Sequence, residues 1–404
     1  MSASDSIILD GAHGEGGGQI LRTALSLSLH TGRPFRLTAI REHRDKPGLR
    51  PQHLLAVVAA QRLGAAYVEG AQVGSRELWF EPKQTVGPGS YFFDIGTAGS
   101  TLLVLQTLLP SLLSASGPST LTLCGGTHNV KAPPFEFVER VFLPRLAQLG
   151  HRVAMELVRP GFYPLGGGKL TVSIQPSAEL RPLSLLERGE VRTLTAEILV
   201  SRLPQHVARR EQATLCQLLG LSIAACPIRS LGSSLGPGNA VLVQIESDSG
   251  PELFSEIGER GVPAERVAAT CAEEVSAYLA AEVPVGEHLA DQLILPLALA
   301  KGGRYLTTQP SLHTLTQIDT VRAFLPVEIS VQPAGPGDSG AVAAVSRLPA
   351  PRAKAESGGG GDSPSAQDPA AATAEALKRA AAEALVRERN INKVRNYPDR
   401  PSSH

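Results

Sequence analysis

The hydrophobic and polar positions of this chain follow one recurring order. A Gly-rich loop leads into an apolar helical run, then a Gly/Pro turn, then a strand. The first instance is GEGGGQILRTALSLSLHTGRPFRLTAI at 14–40. The second is GTAGSTLLVLQTLLPSLLSASGPSTLTLCGG at 96–126, and a shorter third is EHLADQLILPLALAKGGRYLTTQ at 287–309. Each is followed by a second helical stretch and further strands, in the first case with a hairpin over 73–82. Phe137, Val141, Leu143 and Leu146 recur at helical spacing, whereas Leu121 and Leu123, like Phe35 and Leu37, alternate as in a strand. Strands alternating with amphipathic helices predict an α/β (α+β) architecture, and three like units predict a triplicated βαβαββ body.

Residues 184–281 break the repeat. They carry strands of their own at 193–200 and 239–246 and helices near 207–219 and 263–281. The predicted organisation is a body of residues 1–183 and 282–333 with a smaller α/β domain, 184–281, inserted into the third unit. Residues 334–404 turn Gly/Pro/Ser/Ala-rich and then Ala-rich, which predicts a flexible linker and a helical tail.

Composition narrows the function classes. A balance of 38 basic against 38 acidic residues argues against a broad basic face for duplex nucleic acid, though not against a local basic pocket. Aromatics at 4% make an extended base-stacking platform an unfavourable expectation. Cys124, Cys216, Cys226 and Cys271 form no CxxC pair, so reduced thiols in a cytoplasmic protein are expected. No signal peptide and no membrane span is expected, since apolar runs such as 102–109 are too short.

Four segments carry candidate chemistry. Gly14-Glu15-Gly16-Gly17-Gly18-Gln19 opens a helix, and consecutive glycines let backbone N–H groups approach an oxyanion. Glu15 there makes sense if a divalent metal lies between it and a phosphate; the alternative is a tight turn with a solvated Glu15. Arg22 lies one turn further on. Residues 41–53, REHRDKPGLRPQH, place four cations in ten positions, a clamp for a terminal phosphate or a solvated charged loop. Gly96–Ser100 and the GGTHN loop at 125–129 offer further phosphate or ribose turns, or echo the repeat. Ser311-Leu312-His313-Thr314 joins a strand at 304–308 to a helix at 315–324. A neutral imidazole is a competent nucleophile near pH 7, and attack on an α-phosphate would give a transferable phosphoramidate. As one of ten histidines, His313 could equally cap a helix.

Taken together, DGAHGEGGGQILRTALSLS, IREHRDKPGLRPQH, GTAGSTLLVLQTLLP, GGTHNVKAPP, GFYPLGGG, GEHLADQLILPLALA and HTLTQIDTVRAFLP resemble the RNA 3′-terminal phosphate cyclase family, in its bacterial, catalytic branch. The resemblance runs from Asp10 to about Val331. It implies a triplicated body related to enolpyruvyl transferases with a thioredoxin-like insert. It also implies ATP as co-substrate, a divalent metal (Mg or Mn), RNA 3′-phosphate ends as partner, no membrane, and room for a homodimer. By position, His313 resembles the adenylated nucleophile and Glu15 the metal-linked carboxylate. Gln106, the stretch His288, Leu289, Ala290, Asp291 and Gln292, and the loop Gly16, Gly17 and Gly18 resemble the ATP-binding set. Arg22, Arg41, Arg44, Gln52 and His53 resemble the RNA phosphate-binding set. His288 replaces a usual Tyr, His43 a usual Gly, and His13 a usually smaller or amide residue. The alternative is a cyclase-like RNA-binding protein of ribosome assembly without activity; such relatives lack the nucleophilic histidine that is present here as His313.

Overall fold

The computed structural model describes residues 6–334 and 340–348. The first unit runs β1 (Ile7–Asp10), α1 (Gly18–Thr31), β2 (Phe35–Thr38), α2 (Pro51–Gly64), β3 (Tyr67–Glu69) and β4 (Leu78–Glu81). Its sheet order is β1-β2-β4-β3, with the first pair parallel and the others antiparallel. The second unit is β5 (Gly89–Asp94), α3 (Thr101–Leu113), β6 (Ser119–Gly125), a composite helix, β7 (Arg152–Arg159) and β8 (Gly168–Gln175). The composite helix is α4 (Phe135–Phe137), a π-helical stretch Val138–Phe142, and α5 (Leu143–Gln148). The order β5-β6-β8-β7 repeats the first sheet, pair for pair.

The third unit opens with β9 (Leu183–Leu185) and is interrupted by β10 (Val191–Ser201), α6 (Gln205–Leu219), β11 (Ile228–Ser230), β12 (Gly238–Ser247), β13 (Gly250–Ile257) and α7 (Ala264–Ala281). It resumes with α8 (Glu287–Leu299), β14 (Gly303–Thr307), α9 (Leu312–Phe324), β15 (Val327–Pro333) and β16 (Ala341–Arg347). Read from β9, the order β9-β14-β16-β15 is the same again. The interrupting segment has its own sheet, β11-β10-β12-β13, with a parallel β10–β11 pair and antiparallel partners beyond. That is the order expected of a thioredoxin-like insert.

Three expectations need correction. Residues 341–347 are not linker: β16 is an interior strand between β14 and β15. Small residues there (AVAAVSR) hide a strand from composition, yet Ala341, Ala343 and Val345 are buried on one face. The first-unit hairpin pairs Tyr67–Glu69 with Leu78–Glu81, so much of 73–82 is its loop. The insert's own sheet begins at β10, while β9 across the predicted boundary pairs with β14 of the body. The Ala-rich tail lies outside the described residues. Among those residues, no helix is long and apolar enough to cross a membrane.

Helix α1 is the axis of the body. Ile20, Leu21, Ala24, Leu25, Leu27 and Leu29 are buried, and so are Thr23, Ser26 and Ser28. A helix buried nearly all round needs neighbours on every side, and α1 packs against α2, α3 and α9. Gly32, at φ 71°, ends it in the left-handed conformation, with its N–H bonded to the Ser28 carbonyl. The insert has a separate core of Ile198, Val241, Val243, Ile245, Val267 and Cys271, among others.

Candidate active site

The loop before α1 is shaped by steric exclusion. Gly14 and Gly16 both have φ of 61°. A Cβ on Gly14 would lie 2.1 Å from Thr316 Oγ1, so position 14 must be glycine for two reasons. The same Thr316 hydroxyl accepts the Glu15 N–H at 2.9 Å and so fastens the loop to α9. A Cβ on Gly18 would lie 2.6 Å from His53 Nε2 and 2.7 Å from Arg22 Nη1. The starts of α1, α2 and α9 therefore meet around this loop. Helix N-termini carry positive potential, so three of them beside one loop favour an anion there.

His313 stands in the first turn of α9, whose N-cap Ser311 accepts the Thr314 N–H at 3.1 Å. Its Nδ1 is 2.7 Å from Gln19 Oε1, and Gln19 Nε2 donates to Gln317 Oε1 at 2.5 Å. With the Gln19 amide turned that way, Nδ1 carries the proton and Nε2 keeps its lone pair. The imidazole is 44% exposed. The protein around it, then the nearby charges of Arg22, Arg44 and His288, bring its pKa down to about 4. Near neutrality His313 is uncharged, accessible and held in one tautomer.

Glu15 is not a solvated turn residue. Its side chain is 11% exposed, ion-paired with Arg44, and 4.0 Å from His313 Nδ1, beyond hydrogen-bond reach. Arg44 also donates to the Glu15 carbonyl at 3.0 Å. Glu15 Oε2 is buried with no hydrogen-bond partner. Among the described residues no group of three His, Cys, Asp or Glu could hold a metal by itself. The donor set thus fits a metal shared with a phosphate-bearing ligand, one carboxylate from the protein, and does not fit an all-protein cage.

Arg22 forms no ion pair with a carboxylate among the described residues, and burial lowers its pKa to about 10. His53 accepts the Arg50 N–H through Nδ1 at 3.1 Å, so its Nε2–H faces the start of α1. Burial first, then Arg41, Arg22 and Arg50, push its pKa down to about 3. Cations crowding a neutral histidine without matching carboxylates create a site that an anion would relieve. Arg41, at φ 55°, donates to the Lys46 and Gly48 carbonyls and braces its own loop. Gln52 is exposed at the start of α2, its Cβ within 3.8 Å of where a Cβ on Gly99 would be. The Gly96–Ser100 turn therefore borders the same recess.

The stretch that begins α8 divides by side. His288 is exposed and near enough to His313 to affect its charge. Leu289 and Ala290 are 0% and 1% exposed, so their side chains belong to the core and only their backbone could meet a ligand. Asp291 accepts from Ser311 Oγ at 2.7 Å and from Thr314 Oγ1. It braces the turn that carries His313, and burial raises its pKa to about 6. Gln292 has a buried Oε1 without a partner. Gln106 is half-buried on α3, and none of its described contacts ties it to His313. The GGTHN loop is a structural brace: buried His128 bonds Glu136 at 2.9 Å and stacks on Phe162. Gln19 and Gln317 join the site: both lie inside quoted motifs, GEGGGQ and HTLTQ, but neither was given a role there. Gln317 lies four residues beyond His313, on one helix face, and that spacing was the available signal.

A triplicated α/β body whose helix starts surround an accessible neutral histidine and Arg22, without a carboxylate partner among the described residues, is built like a protein that handles anionic, phosphate-bearing ligands. The profile of the family described as RNA 3′-terminal phosphate cyclase matches residues 13–331. The chain belongs to that family. It is 47% identical over 325 residues to the "RNA 3′-terminal phosphate cyclase" of Koribacter versatilis (strain Ellin345), covering 80% of this chain and 91% of that one. Among solved structures, the enolpyruvyl transferase NikO from Streptomyces tendae aligns over 84% of this chain and 47% of its own, with 9% identity and a TM-score of 0.32. The fold assignment rests on the thrice-repeated sheet order.

Proposed function

We propose that this enzyme converts an RNA 3′-terminal phosphate into a 2′,3′-cyclic phosphate at the expense of ATP, through a His313–AMP intermediate. The observation that carries the mechanism is the His313–Gln19–Gln317 chain, which leaves an unprotonated Nε2 on an exposed ring. Nε2 attacks the α-phosphorus, a P–N bond forms, the α–β phosphoanhydride bond breaks and pyrophosphate leaves. A 3′-phosphate oxygen of the RNA then attacks the same phosphorus, breaks the P–N bond and restores the neutral imidazole. The neighbouring 2′-hydroxyl attacks the activated 3′-phosphorus, the phosphoanhydride bond to AMP breaks, AMP departs and the hydroxyl proton passes to solvent. The last step needs activation because an oxide dianion is a poor leaving group and AMP a good one.

The residues have matching work. Arg22, the His53 Nε2–H and the N–H groups at Gly17 and Gly18 face accumulating negative charge and stabilise it. Glu15, released from Arg44, would hold a divalent metal together with nucleotide oxygens; bound there, the metal would offset triphosphate charge. His288 offers a ring face for adenine in place of a phenol.

The test is covalent labelling with α-labelled ATP and a divalent metal. Wild type should acquire an acid-labile, base-stable label, and His313→Ala should not. Equal labelling of the variant would overturn the assignment of the nucleophile.

A further inference from the structure

The inserted domain reaches into the body at one buried carboxylate. Glu252, on β13, is 2% exposed. Its Oε2 accepts the Gly286 N–H at 2.8 Å, and its Oε1 accepts its neighbour Leu253 N–H at 3.3 Å. Gly286 is the N-cap of α8 and has no side chain with which to cap that helix. In a capping box, an acidic side chain three residues into the helix reaches back to the N-cap N–H. Here that third residue is Leu289, and a carboxylate from another sheet takes the place.

The contact is built. Arg145, fully buried on α5, donates to the Ser249 carbonyl at 2.5 Å and to the Pro251 carbonyl at 3.4 Å, and so fixes the turn that leads into Glu252. The strand β13 and the helix α8 both pack on the π-helical stretch Val138–Phe142. Burial raises the Glu252 pKa to about 7, opposed by the two N–H donors and then by Arg145 and His288. In either protonation state one carboxyl oxygen can face Gly286.

The first turns of α8 connect this contact to the chemistry. His288 is the second residue of the helix and Asp291 the fifth. Asp291 holds Ser311 and Thr314, the residues that flank His313 in the first turn of α9. A shift at the start of α8 moves the face that carries His288 and the carboxylate that braces the nucleophile's turn. We infer that Glu252 is a positioning residue through which the inserted domain sets α8, and with it the nucleotide subsite next to His313. The inference rests on the proposed ATP-dependent adenylation. It gives the insert a part in nucleotide binding, although its own core is separate.

Two conservative variants separate contact from charge. Glu252→Gln keeps the length and an acceptor oxygen but cannot ionise. Glu252→Asp keeps the charge but is one methylene too short to reach Gly286. Covalent labelling would be followed against ATP concentration, reading the half-saturating concentration and the plateau separately. Glu252→Gln should stay within about twofold of wild type, whereas Glu252→Asp should need about tenfold more ATP at an unchanged plateau, the upper scale of one lost hydrogen bond. A merely structural role would lower the plateau of labelled protein and leave the half-saturating concentration in place. Wild-type ATP dependence in Glu252→Asp, or impairment in Glu252→Gln alone, would overturn the inference. No label on wild-type protein would instead count against the adenylation reading itself.

Discussion

As the proposed nucleophile, His313 has to be reactive and yet uncharged, and its surroundings meet both demands by different means. Access comes from its place in the first turn of α9, with 44% of the ring open. Neutrality comes from the low-dielectric recess and from Arg22 and Arg44, which oppose a third positive charge. The consequence is a pH dependence unlike that of a surface histidine. The Nε2 lone pair of the free protein is lost only as pH falls through about 4, so at ATP well below saturation, where the rate reports the free protein, adenylation should stay level from pH 8 to about 5. A loss centred near 6.5, the ordinary imidazole value, would show that the recess does not hold the ring neutral. Among the predicted residues, His313, Glu15, Arg22, Arg44 and His53 converge on one recess. The side chains of Leu289 and Ala290 turn into the core, because a continuous motif on a helix includes positions that must face inward.

At the scale of elements, the repeated order of loop, helix and strand was readable because helix and strand periods are local properties. What local patterning could not supply was β16. Its short AVAAVSR pattern follows a Gly/Pro-rich segment and reads as linker, yet the strand lies between β14 and β15 and completes the third sheet. A chain ended after Pro333 should therefore fail to fold, because an interior strand and its two ladders are gone. A chain ended after Leu348 keeps every described pairing of that sheet. Circular dichroism and thermal melting of the two would distinguish them, and a cooperative, wild-type-like transition in the shorter chain would contradict the role given to β16. The π-helical stretch Val138–Phe142 is a second feature beyond local reading, placed where unit two meets both α8 and the insert.

At the scale of the whole molecule, two cores are joined by polar contacts. Arg140 pairs with Glu197 of β10 at 3.3 Å, and Arg145 and Glu252 bridge nearby. Inside the insert, Glu211 is fully buried on α6, accepts from Asn239 Nδ2, and leaves its Oε2 unpartnered. Burial raises its pKa from 4.5 to about 7. The folded state then holds this proton more tightly than the unfolded state, so stability declines as pH rises from 4.5 through about 7. Glu211→Gln removes that titration. Its stability relative to wild type should improve between pH 4.5 and pH 8 by on the order of 3 kcal/mol, measured by denaturant unfolding. A difference independent of pH would mean that Glu211 ionises in the fold as freely as in water.

The chain's order of residues was enough to settle its α/β class, its threefold repetition, the interruption by a second unit and the segments in which the candidate chemistry lies. These follow from spacing and residue type, which act over a few positions. Only the tertiary structure decided that Gln19 holds His313 across 294 residues of chain, that Arg44 closes on Glu15, and that a carboxylate of the insert caps α8. Such partners meet because packed helices bring their first turns together. No local pattern records which distant side chain will fill the remaining hydrogen bond.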